Sequence, residues 1–98
     1  MAFKANGVVI GDVPEGAEVI TAGSLIVWGT VRGSLKAGCG GDCLSRLFVL
    51  RYIGSGISLC GQLVEVPKKM FNTAPLEIRC DDGVVQVQEA VARKFKLL

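Results

Sequence analysis

Half of this 98-residue chain is hydrophobic, yet only six residues are aromatic, so it makes one small domain with a modest, aliphatic core. The net charge of +2 is too weak a bias to argue for nucleic acid, and no apolar run is long enough to span a bilayer. Histidine is absent, which removes the commonest general base and argues against catalysis.

Met1 to Asn6 carry no apolar signal-peptide region, so a cytoplasmic protein is expected. Val8 to Val13 reads as the first strand, Glu18 to Thr21 as the second and Leu25 to Val31 as the third, and Ser34 to Ala37 begins a fourth. Val, Ile and Thr dominate these runs, as a pleated backbone prefers. Pro14-Glu15-Gly16 is a turn between the first two.

Two of these segments are copies of each other. Val9-Ile10-Gly11-Asp12-Val13 returns 18 residues later as Val27-Trp28-Gly29-Thr30-Val31. Each copy follows a glycine, Gly7 or Gly23, and ends in a turn. A repeat this short can bury its apolar side only against the next copy, which is the logic of a solenoid. Ile10 and Trp28 are therefore expected in adjacent layers. The next match to Trp28-Gly29 is Cys60-Gly61, 32 residues on, which would put Cys60 in the same column. Which side of Trp28 faces inward is left open by the sequence.

Gly38 to Cys43 interrupts the rhythm. Arg46 to Tyr52 is then a strand with apolar residues on both faces, so one face needs cover and a two-fold dimer is expected. Leu47, Val49 and, from the next strand, Leu59 are the candidate dimer face. Ile53-Gly54-Ser55-Gly56 is a turn, Ile57 to Val66 a further strand, and Pro67-Lys68-Lys69 leaves the stack. Leu76 to Arg79 and Val84 to Gln88 flank Asp81-Asp82-Gly83 as a hairpin. Glu89 to Leu98 reads as a terminal tail, with Val91, Phe95 and Leu98 spaced for a short basic amphipathic helix. The whole chain is thus one domain, with coils over 7–66, a hairpin over 76–88 and a tail over 89–98.

Groups that could carry chemistry have simpler readings. Ser55 lacks a histidine to activate it, and Asp81-Asp82 beside glycine are turn formers. Hexapeptide-coil acyltransferases need a step of six and a base, and neither is visible. Cys39, Cys43, Cys60 and Cys80 form only one close pair, against the two of a zinc knuckle, so they are expected as thiols, with Cys60 a small core residue. No metal or cofactor is expected. Arg32-Gly33-Ser34-Leu35-Lys36 puts two cations at a corner, where an arginine can grip a partner's carboxylate and Gly33 can admit a partner's backbone.

The segment Gly11-Asp12-Val13-Pro14-Glu15-Gly16-Ala17-Glu18-Val19-Ile20, followed by Ala22-Gly23-Ser24-Leu25-Ile26-Val27-Trp28-Gly29-Thr30-Val31-Arg32-Gly33, resembles the C-terminal domain of MinC, the bacterial septum-site-determining protein. The likeness runs on through Ala37-Gly38, Gly41-Asp42, Arg46 to Leu50, Leu59-Cys60-Gly61 and the Asp81-Asp82-Gly83 hairpin, about Gly7 to Glu89. It implies an all-β, right-handed triangular β-helix that dimerises through an apolar face. It also implies binding to the membrane-associated ATPase MinD, which carries MinC to the membrane, where full-length members oppose FtsZ assembly away from mid-cell. The family's MinD-binding corner maps onto Arg32, Gly33 and Ser34, where Ser34 stands for a usual second arginine. Met1 to Asn6 do not match the family's Arg-Ser-Gly-Gln motif, and the N-terminal inhibitor domain is missing, so a fragment or truncated form is expected. A self-polymerising β-helical scaffold of the bactofilin type is the competing reading.

Overall fold

A computed structural model of the chain describes residues 1–40, 44–54, 56–70, 75–81 and 83–89. It is all-β apart from a single 3-10 turn at Lys68–Met70, among the described residues. One sheet holds, in order, β1 (Ala2–Phe3), β3 (Glu18–Thr21), β5 (Ser34–Ala37), β7 (Gly56–Leu59) and β8 (Gln62–Val64). The other runs from β2 (Gly7–Ile10) through β4 (Leu25–Val31), β6 (Arg46–Tyr52) and β9 (Leu76–Asp81) to β10 (Val84–Glu89). From β1 to β7 the chain alternates between the sheets, and neighbours in each sheet run parallel. β8, β9 and β10 then pair antiparallel and close one end.

The 18-residue repeat appears directly as register. Gly7 pairs with Leu25 and Ile10 with Trp28, and an isolated parallel bridge joins Val13 to Val31. The next layer pairs Leu25 with Leu47 and Val31 with Tyr52. Inward residues stack in columns: Val27 on Val49, Leu25 on Leu47 and Ile78, Val19 on Leu35 and Ile57. Each fully buried Val, Leu or Ile contributes about 1.5–3 kcal/mol of apolar transfer. Side chains also cap the layer above them. The Asn6 side-chain oxygen accepts from the Ser24 N–H at 2.8 Å, the Ser24 hydroxyl from the Arg46 N–H at 2.9 Å, and the Asp12 carboxylate from the Thr30 N–H at 2.9 Å.

Four sequence expectations change. The 32-residue step fails because β4 stacks on β6 at a step of 22, Val27 on Val49, with Trp28 and Gly29 together facing the single residue Leu50 across a bulge. Cys60 instead follows β7 in the opposite sheet, its N–H bonded to the Ala37 carbonyl, so it does not share the Ile10–Trp28 column. The expected strand from Ile57 to Val66 is two strands, because the chain reverses at Cys60-Gly61, both at positive φ, and β8 returns antiparallel along β7. At that turn Cys60 packs partly buried against the core, as expected, but is disulfide-bonded and not a free thiol. Cys39 and Cys80 are free, and Cys43 lies outside the described residues. The first strand begins at Gly7 and stops at Ile10, and β1, with no signal in the sequence, precedes it. The hairpin forms as expected, with Val84 opposite Asp81. The tail helix falls outside the described residues, save that Glu89 ends β10.

Candidate partner-binding faces

The outward face of the second sheet is apolar at its β2–β4–β6 end. Val8, Ile26 and Phe48 form one cross-strand row, and Ile10 and Trp28 form the next. Ile10 is 82% and Trp28 56% exposed, and Trp28 stacks on the half-buried Phe48 with ring centroids 6.1 Å apart. A contiguous exposed patch of this kind marks an interaction surface, and Trp is a frequent anchor in such surfaces. Further along the same face Arg46 stands opposite Arg79, and Glu77 opposite Phe48.

Of the three dimer-face candidates, Leu47 and Val49 lie on the other side of β6, and Leu59 on the inward side of β7 in the first sheet. Leu47, Val49 and Leu59 have no exposed surface and form part of the core. Alternation explains the exchange: with Leu47 and Val49 inward, Phe48 and Leu50 take the outward positions. The sequence showed that β6 is apolar on both faces, but not which set the core would claim.

At the Arg32-Gly33-Ser34 corner each residue does something different. Arg32 is exposed, and its N–H donates to the Val13 carbonyl at 2.8 Å. Gly33 is buried; the space its missing side chain leaves is filled by its own chain, since a Cβ there would run into the Ala17 carbonyl and sit 2.7 Å from that of Pro14. Gly33 therefore lets two layers approach closely, which is where its lack of a side chain is used. Ser34 opens β5, and its hydroxyl donates to the Glu18 carboxylate at 3.4 Å, which also faces Lys36 at 3.5 Å. Both Glu18 and Lys36 are well exposed, so this pair adds little to stability.

The ends of β4 and β6 form a short ladder with Val13. Val13, Val31 and Tyr52 stack inward, while Asp12, Thr30 and Arg51 point out. Burial of Tyr52 raises its phenol above the ordinary 10.0, partly opposed by a hydrogen bond from the Gly56 backbone. Among the described residues no three His, Cys, Asp or Glu side chains gather as metal ligands, and no helix is long and apolar enough to cross a membrane.

Parallel strands stacked layer on layer, with the distinctive side chains on outward faces, define an all-β repeat domain of the kind that works through its surfaces. The sequence matches the family described as septum formation inhibitor MinC, C-terminal domain, over residues 1–90, and the chain belongs to that family. It is 40% identical over 96 residues to the probable septum site-determining protein MinC of Pelotomaculum thermopropionicum, covering 98% of this chain and 42% of that protein. It is 35% identical to the protein of the same name from Thermosynechococcus vestitus, covering 88% of this chain and 32% of that one. The fold is similar to a chain of the MinC:MinD cell division protein complex of Aquifex aeolicus, with a TM-score of 0.78 at 21% identity over 94% of this chain and 79% of that one. The chain thus spans less than half the length of these curated relatives.

Proposed function

We propose that this chain is a non-catalytic dimerisation and MinD-binding adaptor in bacterial division-site selection, part of the system that keeps FtsZ rings from assembling away from mid-cell. The family match over residues 1–90 carries this reading. The solved neighbour, a MinC:MinD complex, supports MinD as the partner. In this reading the stacked layers form a right-handed triangular β-helix whose sides are the two sheets and the short Val13–Val31–Tyr52 ladder. The MinD-binding corner contains Arg32, Gly33 and Ser34, with Arg32 the residue free to reach a partner. A second copy covers the apolar face of Ile10, Ile26, Trp28 and Phe48. The protein sits at the inner face of the membrane only while MinD holds it there, and acts on FtsZ indirectly or through an N-terminal domain.

The test is co-sedimentation with MinD, ATP and anionic vesicles. The chain is expected in the pellet only when all three are present, and Arg32→Glu is expected to leave it in the supernatant. A wild-type chain that never pellets refutes the proposal. The bactofilin-type alternative needs two open stack ends, and β8, β9 and β10 close one of them with antiparallel pairs. Light scattering from large assemblies would revive it.

A further inference from the structure

We infer that Arg51, one layer beyond Arg32 on the third side of the stack, completes a two-arginine grip for carboxylates on the MinD surface; this rests on the adaptor reading above.

The register sets the placement. Val31 pairs with Tyr52 and both are buried, so the residues on either side of each point outward. Arg51, opposite Thr30, precedes Tyr52. Arg32 follows Val31, and the ladder continues past it, since the Ile53 N–H donates to the Val31 carbonyl at 2.8 Å. Arg32 and Arg51 are thus diagonal neighbours on adjacent strands, with α-carbons about 8 Å apart from strand spacing and rise. Both are exposed, and neither takes part in an ion pair among the described residues, where the pairs are Lys36–Glu18 and Arg79–Asp81. Asp12, in the layer before, already accepts the Thr30 N–H.

Two long side chains rooted about 8 Å apart can bring their guanidiniums onto one anion, which offsets the repulsion between like charges that convergence brings. The composition of the surroundings selects the kind of anion. Pro14 stands at this corner against Gly33, Ile53 follows Tyr52 on the neighbouring strand, and the acids Asp12 and Glu15 lie on either side of Val13-Pro14. A membrane surface or a nucleic acid calls for a broader basic cluster. Arginines bordered by apolar residues are the composition of a protein–protein interface, where the forked guanidinium meets Asp or Glu in a bidentate bond. Ser34, committed to Glu18 on the first sheet, does not supply the second cation; Arg51 does.

The experiment measures MinD affinity, with ATP, for the whole chain and three variants, each checked for an unchanged thermal melt. Arg51→Gln is expected to weaken binding about tenfold and to flatten its dependence on salt. Arg32→Gln is expected to do the same. Lys36→Gln, which removes an equal charge from the first sheet, is expected to bind within about twofold of wild type. Arg51→Gln binding like wild type while Arg32→Gln is weakened overturns this inference and leaves the adaptor reading standing. An equal loss in Lys36→Gln overturns it too, as a general charge effect. Wild-type chain that does not bind MinD removes the adaptor reading itself.

Discussion

Replacing Gly33 with alanine separates a residue that serves a partner from one that serves the fold. The added Cβ would run into the Ala17 carbonyl and lie 2.7 Å from the Pro14 carbonyl, 0.7 Å inside the 3.4 Å where ordinary van der Waals contact begins. Both obstacles are backbone, so neither can swing aside. Relief requires the corner to move outward, and that stretches the bonds holding it: Arg32 N–H to Val13 at 2.8 Å and Ser34 N–H to Ala17 at 3.0 Å. A shift of 0.7 Å carries both past bonding distance. Overpacking of this kind costs about 1–3 kcal/mol. For a domain of this size that is a fall in melting temperature of between about 4 and 20 °C. Gly56→Ala is the internal control, because a Cβ there meets nothing within 4 Å and its φ is not in the left-handed region; it should melt at or slightly above wild type. Circular dichroism melts of the three proteins decide the matter. A Gly33→Ala protein that melts like wild type but no longer binds MinD would refute the packing argument and return Gly33 to the interface.

The other expectations concern the exposed face, the core and the phenol. Trp28→Glu should leave the fold intact and convert a dimer to a monomer in analytical ultracentrifugation; since Trp28 is the sole tryptophan, its emission should shift to the blue as wild-type concentration rises. Leu47→Ala, buried between Leu25 and Ile78, should destabilise by about 2–5 kcal/mol in urea titrations, whereas Phe48→Ala on the outward side should cost the monomer less. Tyr52 is the sole tyrosine, so absorbance at alkaline pH reports it alone, and its midpoint should lie above 10.0. Because the folded value is the higher one, its contribution to stability is complete below 10.0 and is lost as pH rises through the folded midpoint.

The repeat was legible because stacking imposes it on the sequence. A residue in one layer must match the residue above it in size and side, so the segment around Ile10 returns around Trp28, and their pairing could be read before any fold was known. Strands β3 to β6 were legible for the same reason, with turns marking their ends. Other features depend on more than one layer. Cys60 was a false match for Trp28, because Trp28 meets Leu50 in the next layer while Cys60 follows β7 in the opposite sheet, and register is decided by a partner strand and not by the strand's own residues. The reversal at Cys60-Gly61 is likewise chosen by where β8 finds an edge to pair with.

The side of each strand claimed by the core was beyond reach from one sequence. Leu47-Phe48-Val49-Leu50 offers apolar residues to both faces, and alternation allows either assignment. Tertiary packing gave Leu47 and Val49 to the interior and put Trp28, Ile26 and Ile10 outside. It also brought Arg51 beside Arg32, two residues 19 apart in sequence that share no motif. Sequence alone therefore determined the first 18-residue repeat and the bounds of strands β3 to β6, since these depend on local backbone preference and on copying. Only the assembled layers determined which side chains reach solvent and which of them meet, because that depends on the register of one layer against the next.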